Sequence, residues 1–199
     1  MEIHAFLRSR RSIRRFEADP IPAAVVERIL ESAICAPSAH NRQPWRFAVV
    51  STRSGKARLA ESMAGEYRRD LANSGVTQRD IEARVEKSRG RINSAPLAII
   101  LCMDVTEMDV YPDSRRATAE RTMAQQSTAN AGMILLLAAL AEGLSGVWSC
   151  APLFAPNAVV AALELPETWE PQAMFLVGKP AQTSKARDRK ALQEISVLR

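Results

Sequence analysis

Apolar positions along the chain alternate between helical and strand spacing. Ile3, Phe6 and Leu7 fall on one side of a short helix over residues 1–8. After Pro22, a residue suited to a first helical position, Val25, Val26, Ile29, Leu30, Ala33 and Ile34 recur at helical spacing, and Pro37 is expected to end that helix. WRFAVV, residues 45–50, reads as a compact apolar strand. LAIILCM, residues 97–103, is strongly β-prone and reads as a central strand buried on both faces. Residues 53–91 between them are charged and Ala-rich, and Asn73, Ser74 and Gly75 break them into two exposed helices, a cover over the body. A long helix is expected over residues 118–142. Its second half, AGMILLLAALA, is apolar on nearly all faces, so it should be buried all round, at the heart of a subunit interface. Gly143, Ser145 and Gly146 stop it. Residues 147–151 are extended, 155–163 form a short helix and 173–177 a last strand. The tail, 179–199, is basic and then mildly amphipathic, and is expected to reach a partner subunit. Helices with few strands predict an α+β or mixed α/β fold, one domain over residues 1–199.

Composition narrows the class. With 199 residues, 47% of them hydrophobic, the chain can bury a real core and is not disordered. A net charge of +5 suits nucleic acid, a membrane surface or anionic small molecules. The Lys and Arg residues are interleaved with Asp and Glu and no run of aromatics alternates with them, which speaks against nucleic acid. Cys35, Cys102 and Cys150 are odd in number and far apart, so they make no disulfide framework and point to a reducing compartment. The N-terminus lacks an apolar signal core, and the longest uncharged apolar run, 131–141, is about half a membrane span. The expectation is a cytoplasmic protein with no membrane attachment.

Two neighbouring motifs carry chemistry. In RRSIRRF, Arg10, Arg11, Ser12 and Arg14 can hold a phosphate monoester by charge-assisted hydrogen bonds. Alone, such a cluster is more often a solvated basic face. APSAHNRQPWRF follows, with Ser38, Asn41 and Gln43, and amides supply both donors and acceptors to a polar ring edge. These are also ordinary loop residues, but the pair together describes a pocket for a phosphorylated aromatic ligand, with flavin mononucleotide (FMN) the natural candidate. Arg187 and Arg189 alternate on one side of an extended tail and could close over the same phosphate. Trp45 and Phe47 read as core. There is no GxGxxG, no GxxxxGK[ST] and no GxSxG. His4 and His40 do not combine with the cysteines at metal-ligand spacing, and a Cys35–His40 nucleophile pair lacks an orienting third group.

RRSIRRF, APSAHNRQPW, GLSGVW and KARDRKAL, in that order, resemble the FMN-dependent nitroreductase superfamily over nearly the whole chain. YPDSRRATAERTMAQQS and LELPETWEPQAMFLVGKP are similar to the flavin domain of the enzymes that finish the deazaflavin coenzyme. The resemblance implies a three-layer α+β fold, with a mixed, mainly antiparallel sheet flanked by helices and a long buried helix at a homodimer interface holding two FMN sites. It places Arg10, Arg11, Ser12, Arg14, Pro37, Ser38, Asn41 and Gln43 around the cofactor. Gly146, Trp148 and Ser149 would pass near the flavin, from the partner chain or the same chain, and Arg187 and Arg189 would complete the phosphate site. The implied reaction is ping-pong hydride transfer from NAD(P)H to a small aromatic or conjugated acceptor: a nitro, quinone or enone compound, or a dehydro-deazaflavin precursor. The flavin does the chemistry and no side chain is catalytic. Acceptor choice is assigned to the cover helices. A flavin-binding or storage protein without turnover and a flavin-fragmenting benzimidazole synthase are the alternatives.

Overall fold

The computed structural model describes residues 2–199. In chain order the elements are α1 (Ile3–Ser9), α2 (Ala23–Ala33), β1 (Trp45–Val50), α3 (Arg53–Asn73), α4 (Gln78–Ser94), β2 (Leu97–Asp104), α5 (Ser114–Ala141), β3 (Ser145–Ser149), α6 (Pro156–Leu163), β4 (Trp169–Gly178) and α7 (Leu192–Ile195). The strands form one four-stranded sheet in the order β1-β2-β4-β3, every pair antiparallel. Ser12 adds a parallel bridge to Gly146 on the free edge of β3, which gives the sheet its mixed character.

Every residue of β2 is buried, because the sheet is covered on both faces. Leu97, Ile99 and Leu101 face one way with Phe175 and Val177, against Val26, Ile29 and Ala33 of α2 and Ala131, Leu135 and Ala139 of α5. Ala98, Ile100 and Cys102 face the other way with Met174 and Leu176, against Leu59, Ala60 and Met63 of α3, Ile92 of α4 and Val159 of α6. The result is three layers, helices–sheet–helices.

Residues 53–91 therefore differ from the exposed cover their charge suggests. Leu59, Ala60, Met63 and Ala64 line one buried face of α3, while Ile81 and Val85 of α4 pack with Ala64 and Leu71 between the two helices. Alanine and a few large apolar residues suffice for these faces, so the acids and arginines of the outer faces dominate the composition. Lys56 is buried too, its ammonium donating to the Ala95 carbonyl.

Helix α5 starts a turn earlier than the apolar pattern predicts. The Asp113 carboxylate accepts from the Arg116 amide at 2.9 Å and caps it. Helix α2 ends at Ala33, short of Pro37. The expectation that α5 is buried all round is met on one side in a single chain. Ala124, Ala131, Leu135 and Ala139 face the sheet, while Thr122, Gln126, Ala129, Asn130 and Met133 form an open stripe at helical spacing. Gly132 sets the approach on the packed side: a Cβ there would lie 2.7 Å from Trp148 and 2.9 Å from both Leu101 and Phe175. Trp148 and Phe175 meet edge to face, with centroids 5.0 Å apart, so neither ring can give way easily.

Gly132→Val should lower stability by about 2–3 kcal/mol through overpacking. Gly65→Ala, at an exposed helical site with nothing within 4 Å, should raise it by about 0.5–1 kcal/mol. Urea denaturation followed by circular dichroism reads both, as midpoint shifts in opposite directions.

Candidate functional site

The arginine cluster is anchored by backbone. Ile13 is buried and its amide donates to the Gly146 carbonyl at 3.2 Å. The Glu17 amide donates to Lys179 and the Ala181 amide to Arg15. Residues 12–17 are thereby held between the start of β3 and the chain leaving β4, and Arg14 is left exposed beside Trp148 and Ser149. Arg11 turns back on its own segment, donating to the Arg8 and Arg10 carbonyls at 2.6 and 2.9 Å. Arg187 and Arg189 lie on the exposed tail, and among the described residues the Arg189 guanidinium donates only to the Arg187 and Asp188 carbonyls.

Three adjoining hollows lie on the α4 side of β3; Arg91 lines all three and Arg14 two of them. One, of about 260 Å³, is walled by Arg14, Ser88, Arg91, Val147, Trp148 and Ser149. A second, of about 580 Å³, includes Arg14, Arg15, Lys87, Arg91 and Gln182. The third, about 680 Å³, opens between α3, α4 and the 3-10 turn Ala151–Phe154, with Met63, Tyr67, Arg84, Lys87, Arg91 and Phe154 on its walls. The residues of α4 were not singled out from sequence. Their signal, cations at 84, 87 and 91, becomes visible only once the helix phase is known.

The amide loop lies elsewhere. His40, Asn41 and Gln43 all have positive φ, at 51°, 55° and 49°. Three non-glycine residues in the left-handed region within four positions store backbone strain that the surroundings must hold. Helix α5 supplies much of that hold: the Ser127 hydroxyl accepts from the Ala39 amide at 3.1 Å, and the Asn130 amide donates to the Pro37 carbonyl at 3.3 Å. The Ser38 hydroxyl accepts from the Gln43 amide at 3.1 Å. Asn41 and Gln43 are left exposed. Ser127 and Asn130 are the second group that sequence reading missed, because polar residues on a long helix look like solvated positions.

Asp104 anchors the base of this loop. Its amide donates to the Pro44 carbonyl at 2.8 Å, and its carboxylate accepts from the Thr106 hydroxyl and amide at 2.7 and 3.0 Å and from Thr168 at 3.3 Å, with Arg46 3.6 Å away. Burial pushes its pKa up, but the Thr106 hydrogen bonds, the Arg46 charge and Thr168 together outweigh it and hold the carboxyl below its ordinary value.

The two motifs do not meet in one chain. Trp45, next to the amide loop, pairs with Met103 at the far end of β2, whereas Gly146, next to the arginine cluster, pairs with Val177, which pairs with Leu97 at the near end. They sit at diagonally opposite corners of the sheet, roughly 25 Å apart from strand spacing and rise. Gly146, Trp148 and Ser149 fall at the arginine corner, and Pro37, Ser38, Asn41 and Gln43 at the other.

Among the described residues, no group of three or more His, Cys, Asp or Glu is placed to hold a metal ion. No helix among them is long and apolar enough to cross a membrane. Cys102 is buried, which pushes its thiol up to about 12 and leaves it inert.

The sequence profile described as the nitroreductase family matches residues 7–179. The chain belongs to the nitroreductase family. Over 90% of its length and 82% of the relative's, it is 30% identical to a 5,6-dimethylbenzimidazole synthase of Rhodospirillum rubrum. Over 96% of its length and 92% of the relative's, it is 29% identical to an NADH dehydrogenase of Thermus thermophilus. The nitroreductase-like α+β fold is shared with a BluB-like flavoprotein of Clostridium difficile, at TM-score 0.83 and 20% identity, covering 100% of this chain and 99% of that one. It is also shared with a Desulfovibrio desulfuricans protein solved in complex with FMN, at TM-score 0.75 and 24% identity, covering 100% and 97%.

Asp104→Asn should cost about 1.5–3 kcal/mol at neutral pH by removing the charge these donors serve. Because the folded pKa is lowered, the charge stabilises the fold above the ordinary Asp value of about 3.9 and stops doing so as pH falls through the folded value. The gap between wild type and variant, measured by chemical denaturation, should therefore be wide at pH 7 and narrow progressively below about pH 4.

Proposed function

We propose that this nitroreductase-family protein is a homodimeric FMN-dependent oxidoreductase that takes hydride from NAD(P)H and passes it to a small aromatic or conjugated acceptor. The observation that carries this reading is the diagonal separation of the two motifs within one chain. The open stripe of α5 links them. Its Asn130 and Ser127 hold the amide loop, and its C-terminal end leads into Ser145 and Gly146 beside the arginine cluster. A second copy docked on this stripe would bring the amide loop of one chain to the arginine groove of the other and generate two equivalent sites.

The donor set fits a flavin. The exposed amides of Asn41 and Gln43 offer mixed donors and acceptors to a ring edge, held in a strained loop that needs no reorganisation on binding. Arg14 supplies positive charge beside a slot walled by Trp148 and Ser149, where it would stabilise a reduced, anionic ring, with Arg10 assigned to the same cofactor. Arg187 and Arg189 would close on the phosphate from the tail, whose exposed Leu192 and Ile195 give it an apolar face for the partner. Bound FMN supplies two-electron hydride chemistry. The protein binds and orients the reactants, and no side chain needs to move a proton.

A second reading, oxidative fragmentation of the flavin to a benzimidazole, is favoured by the 30% identity to a 5,6-dimethylbenzimidazole synthase. Incubation with FMN, NADPH and oxygen, followed by chromatography for 5,6-dimethylbenzimidazole, separates the two. Stopped-flow bleaching of the flavin by NADPH separates turnover from flavin storage.

Purified protein should show flavin absorbance near 450 nm, or acquire it with added FMN. Arg14→Ala and Asn41→Ala homodimers should each lose most of it. Co-expressed as a mixed dimer, the two variants should regain roughly one site in two, because the C2 arrangement leaves one interface site with neither substitution. No recovery in the mixed dimer would place both motifs on the same flavin within one chain and sink the shared site.

A further inference from the structure

The hollow between α3 and α4 contains more charge than a flavin site requires. Arg84, Lys87 and Arg91 are spaced i, i+3 and i+7, which puts them on one face of α4, and all three line the 680 Å³ cavity. None of them has an acidic partner within 4 Å among the described residues. Their neighbours do: Arg68 pairs with Glu61 and Glu82, Arg69 with Glu66, and Arg89 with Glu61 and Glu86. The acids of these two helices are thus largely engaged on the outer surface, and the cations facing the cavity are left over. Two carboxylates also line it: Glu66, which is tied to Arg69, and Asp70. The rest of the wall is mostly apolar or aromatic, Met63, Tyr67, Ala151, Phe154 and Ala155, with the hydroxyls of Ser88 and Ser149 between them. Phe154 is 72% exposed, a large apolar surface with no packing partner to explain it.

An apolar wall facing a line of unpaired cations matches a flat, anionic ligand. We propose that this cavity selects an aromatic acceptor bearing a carboxylate, with its ring against Met63, Tyr67 and Phe154 and its anionic group on Arg84, Lys87 and Arg91. The size fits one drug-sized molecule and is small for a whole dinucleotide. The inference rests on the flavin reading above and adds the substrate class to it. The reaction it implies is balanced without further components. A hydride from NADPH and a proton from solvent convert an acceptor's nitro group to nitroso with loss of water, giving NADP⁺, while the carboxylate is a spectator that fixes orientation.

The probes are 4-nitrobenzoate and its uncharged methyl ester. By equilibrium dialysis, which needs neither turnover nor bound flavin, the wild-type protein should bind the carboxylate roughly tenfold more tightly, the scale of a few half-exposed ion pairs. The kcat/KM ratio of the two with NADPH should show the same preference and shrink as salt is raised. In Arg84→Gln/Lys87→Gln both ratios should fall towards one. Equal binding of acid and ester by wild type, or a preference that survives in the variant, overturns the proposal. So does a variant whose loss appears in FMN retention or in the KM for NADPH, because the cations would then serve a cofactor or donor phosphate. A colourless protein that still discriminates acid from ester in dialysis would sink the flavin reading and leave the anion site standing.

Discussion

The sheet's two central strands are buried on both faces, and the rest of the molecule follows from that. All eight residues of β2 are buried, and β4 is buried from Ala173 to Gly178. Burial of this kind requires helices on both sides, α2 and α5 on one and α3, α4 and α6 on the other. The middle of the sheet then has no room for a ligand. Gly132, where a Cβ would strike three side chains, shows how closely α5 is seated on it. Chemistry is confined to the corners and edges, where β3 ends its pairing and where β1 begins.

That confinement explains why two motifs close in sequence end far apart in space. Between Arg14 and Asn41 the chain crosses the sheet on α2 and reaches the opposite corner before entering β1. Each corner is built rigidly: three backbone hydrogen bonds hold residues 12–17, while Ser127, Asn130 and Ser38 hold a loop with three left-handed residues. Strain of that order persists only where packing over-determines it. A loop held in this way leaves the Asn41 and Gln43 side chains exposed, and among the described residues they are tied only within the pair, by long 3.4 Å hydrogen bonds from the Gln43 side-chain amide. Helix α5 is the element shared by both corners, so the surface that would complete the site is the same one that holds its parts.

Much of this was legible in the sequence, for physical reasons that differ by element. Strand β2 was readable because seven consecutive apolar, mostly β-prone residues have few other uses. The chemistry of the arginine and amide motifs was readable because residue type limits what a group can bind. Their placement was not, since the notion of a single pocket assumed that nearness in sequence meant nearness in space. The start of α5 was hidden because a cap is one carboxylate, Asp113, in a run that otherwise looks like a loop. The buried face of α3 was hidden because alanines at helical spacing carry a weak apolar signal against a strong charged one.

The arginines that make the chain basic divide by neighbourhood. Arg68, Arg69 and Arg89 face carboxylates on the outside of α3 and α4, where exposed pairs contribute little to stability and mainly keep the surface near neutrality. Arg14, Arg15, Lys87 and Arg91 gather around a single concavity with, among the described residues, no carboxylate within ion-pairing distance, so their charges add there. A net charge of +5 spread evenly would be a statement about solubility. The part of it gathered at this groove is a statement about what the groove attracts.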